Sequence, residues 1–217
     1  MAARPQTDAT HWDQAYDQGD STRSWHQDQS MMSLRMLQRA GAAPTESLID
    51  VGGGSAPLVD ALLGQGFADL TVLDISQIGL NYAQQRLGSA AGQVTWLLAD
   101  ALSWQPERTY RLWHDRAVFH FLTNPADQQR YLDVLATAVE PGGRVVIGAF
   151  APDGPQQCSG LPAARYSPDS LTERLGQGFT ALATEREEHH TPSGAVQPFT
   201  WLLAQRAATP RPANLGP

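Results

Sequence analysis

The sequence predicts a doubly wound α/β fold, in which a parallel sheet carries helices on both faces. Strand and helix signals alternate between about residues 45 and 150, and a glycine-rich turn separates the first strand from the first helix. The length of 217 residues suits one full α/β domain with a sizeable core and is too short for two large ones. We therefore expect a single α/β domain behind a polar N-terminal segment.

Short apolar runs predict the first five strands of this sheet. They are SLIDV (47–51), LTVLDI (70–75), VTWLLA (94–99), YRLWHD (110–115) and RVVIGAF (144–150). Apolar residues with helical spacing follow the first, second and fourth runs, which places helices between the strands. A helix near 168–176 and two strands near 179–189 and 196–205 complete the predicted sheet.

The remaining segments lie outside this alternation. Residues 151–166 are rich in glycine and proline, so we expect a loop without regular structure. The N-terminal forty residues have a helical and polar pattern, and the C-terminal residues have none. The predicted organisation is a helical segment (1–44), an α/β domain (45–206) and a disordered tail (207–217).

Charge and composition exclude several classes of protein. A net charge of −7 argues against binding nucleic acid, and no apolar run is long enough to span a membrane. The N-terminus has no apolar core, so it does not resemble a secretory signal. The single cysteine, Cys158, cannot form an internal disulfide or a thiolate-rich metal site, which fits a cytoplasmic protein without a metal. The adjacent His189 and His190 would point to opposite faces of a strand, so they do not suggest metal ligands either.

The glycine-rich turn Asp50–Ala56 predicts a ligand-binding loop. Glycines 52, 53 and 54 allow a tight turn and a close backbone approach to a ligand, beside the free amides of a helix N-terminus. A dinucleotide fingerprint requires a glycine three residues after Gly54, where this chain has Pro57. The turn therefore disfavours a bound pyrophosphate.

Three carboxylates follow the ends of three successive predicted strands. Asp50 would repel a pyrophosphate but suits the positively charged amino-acid end of S-adenosylmethionine. Asp74 is placed to accept the ribose hydroxyls and Asp100 to meet the adenine edge. Each of the latter two could instead cap a helix, but the three together predict an S-adenosylmethionine site.

On these motifs the chain, over roughly residues 10–206, resembles the class I S-adenosylmethionine-dependent methyltransferases. The family's third motif glycine is Ala56 here. The resemblance implies a seven-stranded sheet of order 3-2-1-4-5-7-6 with an antiparallel last hairpin, and S-adenosylmethionine as the cofactor.

A closer resemblance is to the thiopurine-type branch of that family. The resembling segments are Trp12 with Trp25-His26-Gln27-Asp28-Gln29, Asp74–Gly79 and Trp113–Val118. His114 is inserted between the branch's Trp and Asp, and Ala117 replaces its glycine. The resemblance implies an N-terminal lid over the cofactor and places Asp115 and Arg116 near the transferred methyl group. Small bacterial members of the branch methylate thiols, selenols or related compounds.

These considerations yield a set of candidate site residues. The cofactor candidates are Trp12, Trp25, Asp50, Gly52, Gly53, Gly54, Asp74, Ile75, Asp100, Ala101 and Asp115. Candidate catalytic residues are Asp115, which would anchor the ammonium group or steer the substrate, Arg116, which would stabilise a thiolate, and His120, which would take a proton or simply pack against the sheet. Candidate substrate contacts are Tyr16, His26 and Tyr166.

A small thiol, sulfide or selenol is the expected methyl acceptor. A thiol titrates near pH 8.5 and needs little help from a base, and the sequence lacks the Asn/Asp-Pro-Pro-aromatic segment that holds planar nitrogen acceptors. Three alternatives remain open: methylation of a protein or a small amine, a nicotinamide-dependent oxidoreductase, and a non-catalytic S-adenosylmethionine-binding module. The oligomeric state is not predicted.

Overall fold

The computed structural model describes residues 8–17 and 23–208. The helices are α1 (Ala9–Asp17), α2 (Met31–Arg39), α3 (Leu58–Gly64), α4 (Gln77–Leu87), α5 (Pro125–Ala138) and α6 (Pro168–Leu175). The strands are β1 (Leu48–Val51), β2 (Leu70–Asp74), β3 (Val94–Leu98), β4 (Tyr110–Arg116), β5 (Val139–Phe150), β6 (Gln157–Cys158), β7 (Leu161–Pro162), β8 (Phe179–His190) and β9 (Val196–Arg206).

Seven strands form one sheet in the order β3-β2-β1-β4-β5-β9-β8. The first five are parallel, whereas β9 runs antiparallel to both β5 and β8. Numbered by position among the sheet's own strands, this is the order 3-2-1-4-5-7-6. The expected Rossmann-like fold and its antiparallel last hairpin are thus confirmed.

Burial on both faces explains why the central strands are mainly apolar. Every residue of β1 and β2 is buried, as expected for parallel strands covered by helices on each side. Two clusters of buried side chains form the core, one containing Met36, Leu37 and Leu48 and the other Ile49 and Trp113. Consecutive residues of β1 thus contribute to opposite faces of the sheet.

Two predictions about the second half of the chain need correction. Residues 151–166 are not wholly irregular, because β6 and β7 pair as a short antiparallel hairpin. The fifth strand begins at Val139 rather than 144, since Gly142 (φ +78°) lets the chain bend within the strand. The predicted disordered tail lies almost entirely outside the described residues.

The N-terminal segment packs against the α/β domain. Asp13 of α1 accepts hydrogen bonds from Ser76 Oγ (2.6 Å) and from the backbone N–H of Ile78 (3.3 Å), at the start of α4. The buried Tyr16 of α1 lies against Gly54 and Gly79, where a Cβ on either glycine would collide with its ring or hydroxyl. Within the described residues, no helix is long and apolar enough to cross a membrane.

Candidate active site

A cleft of about 780 Å³, including its open mouth, lies at the carboxyl ends of the parallel strands. It sits where the sheet order reverses between β1 and β4, the usual ligand position in doubly wound folds. Its lining comprises Trp12, Tyr16, Trp25, Gly52, Leu73, Asp74, Ile75, Ala99, Asp100, Ala101, Leu102, Arg116, Ala117, Val118, Phe121, Leu122 and Cys158.

The lining brings together nine of the sequence-predicted site residues. They are Trp12, Tyr16, Trp25, Gly52, Asp74, Ile75, Asp100, Ala101 and Arg116. Seven others lie outside it: His26, Asp50, Gly53, Gly54, Asp115, His120 and Tyr166. Whether one of these residues lines the cleft depends on the direction in which its side chain points.

Asp74 ends β2 and is buried, with one carboxylate oxygen accepting the backbone N–H of Ser76 (2.8 Å). Burial chiefly, and to a smaller extent the nearby carboxylate of Asp50, raise the pKa of Asp74 to about 7, although hydrogen bonds from the backbone oppose the shift. A carboxyl group that costs this much to ionise is typical of a functional site rather than of a simple helix cap.

The glycine-rich turn lies between the cleft and Asp50. Gly52 and Gly54 adopt positive φ angles of +69° and +43°, which L residues with side chains rarely adopt. A Cβ on Gly53 would lie 2.6 Å from Oδ2 of Asp50, so this carboxylate is tucked directly beneath the loop. Asp50 therefore acts on the loop and on the local charge rather than lining the cleft itself.

The segment that follows β3 contributes Asp100 and Ala101 to the lining of the cleft. Asp100 Oδ1 accepts the backbone N–H of Leu102 (2.9 Å), which fixes the turn that follows β3. Ile75 follows Asp74 at the end of β2 and lines the same cleft. These residues surround a slot between the ends of β2 and β3.

Aromatic side chains from the N-terminal segment cover the cleft. Trp12 packs edge-on against Phe121 (ring centroids 4.9 Å apart) and against Trp25 (6.2 Å), and Trp25 also meets Tyr16 (5.9 Å). The indole Nε1 of Trp25 is buried without a hydrogen-bond partner among the described residues. This cover excludes water from one side of the cleft.

Three side chains of the α/β domain hold residues 24–27 in place. His189 pairs through Nε2 with the carbonyl oxygen of Ser24 (2.7 Å), and Arg116 Nη1 donates to the carbonyl oxygen of Trp25 (3.2 Å). Gln27 Nε2 donates to Glu187 (3.2 Å). The cover is therefore anchored to β4 and β8 as well as to α4.

Arg116, at the end of β4, presents a partly unsatisfied guanidinium to the cleft. Its carbon centre lies 4.8 Å above the ring of Phe199, and its Nε and Nη2 atoms are buried without partners in the part of the chain that the structure describes. Glu187, the carboxylate whose charge acts on it, is instead hydrogen-bonded to Trp201 Nε1 (2.8 Å) and Gln27. Burial lowers the pKa of Arg116, as expected for a cation without a close counter-ion.

Asp115 points away from the cleft, on the other face of β4. Its carboxylate accepts the backbone N–H groups of Val118 (2.8 Å) and Phe119 (3.1 Å) and the hydroxyl of Tyr131. Burial raises its pKa to about 6, partly offset by the Tyr131 hydrogen bond. Asp115 thus builds the turn that presents Arg116, a turn in which Ala117 adopts φ +73°.

His120 is fully buried in a short 3₁₀ turn, with its ring 4.3 Å from Phe150 and 4.4 Å from Phe121 by centroid. Neither ring nitrogen has a hydrogen-bond partner in the described residues. Burial, and secondarily the charge of Arg116, lower the pKa of His120 to about 3. The imidazole is therefore neutral at physiological pH and a poor proton acceptor.

The two remaining candidates for substrate contact also lie apart from the cleft. Tyr166 is buried, and its hydroxyl accepts from Gln128 Nε2 (2.8 Å). His26 faces a surface groove beside Asp28, 3.4 Å from that carboxylate. Neither side chain reaches the cleft in this structure.

Cys158 is a site residue whose role the sequence left ambiguous. The β6–β7 hairpin brings it to the wall of the cleft, where burial raises the pKa of its thiol. No local sequence signal marks that placement, because it depends on the hairpin folding back over the sheet. Among the described residues, no group of histidine, cysteine and carboxylate side chains is arranged to hold a metal ion.

A family model matches the central part of the chain. Residues 48–143 match the family model described as a methyltransferase domain. No curated protein shows significant sequence similarity to the chain.

Solved structures share the whole architecture. The 1,6-didemethyltoxoflavin-N1-methyltransferase of Burkholderia thailandensis, with bound 1,6-didemethyltoxoflavin and S-adenosylhomocysteine, is 20% identical with a TM-score of 0.73, over 95% of this chain and 92% of that one. The N-methyltransferase NodS of Bradyrhizobium japonicum WM9, in complex with S-adenosylhomocysteine, is 16% identical with a TM-score of 0.70, over 92% and 99%. A structure described by the conversion of a disulfide bond into a thioacetal group during echinomycin biosynthesis is 20% identical with a TM-score of 0.73, over 92% and 93%.

At these identities the structural likeness shows the fold. Residues 48–143 match the methyltransferase domain model over slightly less than half of the chain. The methyltransferase class expected from the sequence is thereby confirmed, and two of the similar structures hold S-adenosylhomocysteine, the product form of the expected cofactor.

Proposed function

We propose that the protein transfers the methyl group of S-adenosylmethionine to a small thiol, sulfide or selenol bound in the cleft. The observation that carries this proposal is the guanidinium of Arg116, which lines the cleft with two buried nitrogen atoms unpartnered among the described residues. A buried, incompletely hydrogen-bonded cation requires an acceptor from a ligand. An anionic nucleophile such as a thiolate satisfies that requirement.

The carboxylates at the other end of the cleft support the placement of the cofactor. Asp74 would accept the ribose hydroxyls, and Asp100 with Ala101 would border the adenine. Ile75 would contact the cofactor from between these two positions, and Gly52 would approach its amino-acid end through the backbone. S-adenosylmethionine carries a net positive charge. A positive ligand suits this site because it would stabilise the ionised carboxylate of Asp74, which burial destabilises.

The N-terminal segment would act as a lid, with residues 45–206 as the methyltransferase domain. Trp12, Tyr16 and Trp25 line the cleft, and the segment is held by hydrogen bonds to the domain. Methyl transfer is an in-line displacement, so alignment and exclusion of water supply most of what the protein must contribute. An aromatic cover supports both.

The proposed reaction removes two charges at once. The thiolate sulfur would attack the methyl carbon, the bond from that carbon to the sulfonium sulfur would break, and the products would be a neutral thioether and adenosylhomocysteine. Arg116 would hold the thiolate and lower its effective pKa. His120 is not needed as a base, and its low pKa makes it unsuited to that role, so the proton would leave the thiol before the thiolate reacts.

Methylation of a nitrogen atom in a small molecule is the second candidate. Two of the similar structures belong to N-methyltransferases, at 16% and 20% identity. The buried charge of Arg116 disfavours a cationic amine but tolerates a neutral or anionic heterocycle. The cleft would also suit a non-catalytic module that only binds S-adenosylmethionine. Turnover measurements distinguish such a module from an enzyme.

The test is to assay adenosylhomocysteine release with a panel of thiols, sulfide and selenols, for the wild type and Arg116→Met. We expect the variant to lose about tenfold or more in kcat/KM for thiols, because a charge-assisted contact contributes about 1.5–3 kcal/mol. Arg165→Met is a matched control, since Arg165 is exposed and donates to the carbonyl oxygen of Pro152 (3.0 Å), away from the cleft lining. Turnover with amines but with no thiol or selenium compound would refute the proposed acceptor class.

A further inference from the structure

A buried histidine–carboxylate pair lies beneath the glycine-rich loop. His114 on β4 and Asp50 on β1 are register partners on adjacent parallel strands, and their Nδ1 and Oδ1 atoms are 2.7 Å apart. Their side chains are only 3% and 6% exposed. The pair is therefore shielded from solvent and from competing ions.

The carboxylate of this pair faces the loop with its second oxygen. Oδ2 of Asp50 lies 2.6 Å from the position that a Cβ on Gly53 would take, and the charge of Asp50 also acts on Asp74 in the cleft wall. The orientation of one carboxyl group thus affects both the loop and the electrostatic potential of the cofactor end.

The hydrogen-bond inventory fixes the role of the imidazole. An ionised carboxylate can only accept, so Nδ1 carries the proton and donates it to Asp50. Nε2 of His114 is buried without a partner in the described part of the chain, and the ring stacks at a tilt beside Trp201, 6.0 Å away by centroid. A second N–H on this ring would be buried without an acceptor among the described residues, which costs free energy, so the hydrogen bond to Asp50 is the one that orients the ring.

We propose that His114 is a positioning residue: its Nδ1 hydrogen bond holds the Asp50 carboxylate aimed at the glycine-rich loop, where it faces the amino-acid end of the cofactor. This proposal rests on the cofactor placement of the proposed function.

Two substitutions separate this role from simple packing. In His114→Asn the amide nitrogen takes roughly the place of Nδ1 and still reaches Asp50. In His114→Gln the amide extends towards the place of Nε2, beside Trp201, and leaves Asp50 without its donor. Thermal melting identifies whether each variant is folded, and His114→Leu replaces the glutamine variant if that one is not.

Calorimetry with two ligands provides the readout. Adenosylhomocysteine carries the amino-acid end, whereas methylthioadenosine has the same adenosine and thioether groups without it. We expect His114→Gln to weaken adenosylhomocysteine binding by about tenfold or more while changing methylthioadenosine binding less than about twofold. His114→Asn should bind both ligands within about threefold of the wild type, as rescue by a retained donor requires.

Equal weakening of both ligands in His114→Gln would assign His114 a purely structural role and overturn the proposal. Unchanged adenosylhomocysteine binding in that variant, or equal loss in the asparagine variant, would do the same. A wild-type protein that binds neither ligand would instead refute the proposed cofactor site itself, which is a different result.

Discussion

Replacing Asp74 by asparagine should stabilise the protein and weaken cofactor binding at the same time. The folded-state pKa of Asp74 is raised to about 7 from an ordinary value of 3.8, chiefly by burial. Between these two values the folded state binds the proton more tightly than the unfolded state does. The free energy of unfolding therefore falls as the pH rises through this window and stays reduced above pH 7.

The size of the effect follows from the pKa difference. A shift of about three units corresponds to about 4 kcal/mol as an upper limit, at about 1.36 kcal/mol per unit. Asparagine carries no charge, and its oxygen can still accept the backbone N–H of Ser76 that Asp74 now accepts. We expect Asp74→Asn to raise the free energy of unfolding at pH 8 by about 2–4 kcal/mol, or the melting temperature by about 5–10 °C for a chain of this size.

The same substitution should cost affinity for S-adenosylmethionine. Loss of a charged acceptor to the ribose is worth about 1.5–3 kcal/mol, which is about tenfold or more in Kd. Wild-type affinity should also fall as the pH drops below about 7, because protonated Asp74 no longer accepts two hydroxyls.

Thermal melts of the free protein at pH 5 and pH 8, with calorimetry at pH 8, measure both effects. Asp69→Asn is a suitable control, since the Asp69 side chain is 42% exposed and forms an ion pair with Arg108; its loss should cost less than about 1 kcal/mol. This prediction would be refuted if Asp74→Asn were no more stable than the wild type at pH 8, or if the substitution stabilised the protein as much at pH 5 as at pH 8. Either result would show that ionisation of Asp74 does not destabilise the folded state. Undiminished cofactor binding would place the ribose elsewhere.

Two further predictions concern the acceptor and the lid. With a thiol at subsaturating concentration, the methylation rate should rise with pH towards the pKa of the thiol itself, and a more acidic thiol should move this rise to lower pH. His120→Phe should leave the pH–rate profile unchanged. A shift of the profile in that variant would show that His120 acts as the base. Deleting residues 1–28 should leave a folded domain with little turnover, because Trp12 and Trp25 cover the cleft, and full turnover of the truncated protein would exclude a lid role.

The parts of the fold that could be predicted from sequence are those encoded locally. Each central strand is a short apolar run, and each turn between strand and helix contains its own glycine or capping residue, as with Ser76, whose hydroxyl accepts the N–H of Gly79 at the start of α4. The cleft residues Asp74 and Asp100 follow from this pattern, because the carboxyl ends of parallel strands meet at one edge.

The placements that the sequence could not supply depend on contacts between distant residues. Asp115 was expected near the methyl group, but it bonds to Tyr131, 16 positions further along the chain. In the segment Trp113–Val118, His114 is an insertion relative to the thiopurine-type motif, and its hydrogen-bond partner Asp50 is 64 positions away in the sequence. Which side chains share a face of β4 is set by the pleat and by register with β1 and β5, and one residue of difference reverses the result.

The alternation along β4 also explains why the cleft is polarised. His114 and Arg116 lie on one face of the strand and Asp115 on the other, so the carboxylate that could neutralise Arg116 is bonded to the turn instead. Arg116 leaves a buried cation beside the cleft at the end of β4, while Asp50 and Asp74 place carboxylates at the ends of β1 and β2. Under the proposed function this polarity attracts a cationic methyl donor and an anionic acceptor to opposite ends. Because the transfer neutralises both, the products lose the attraction that bound the reactants, which favours their release.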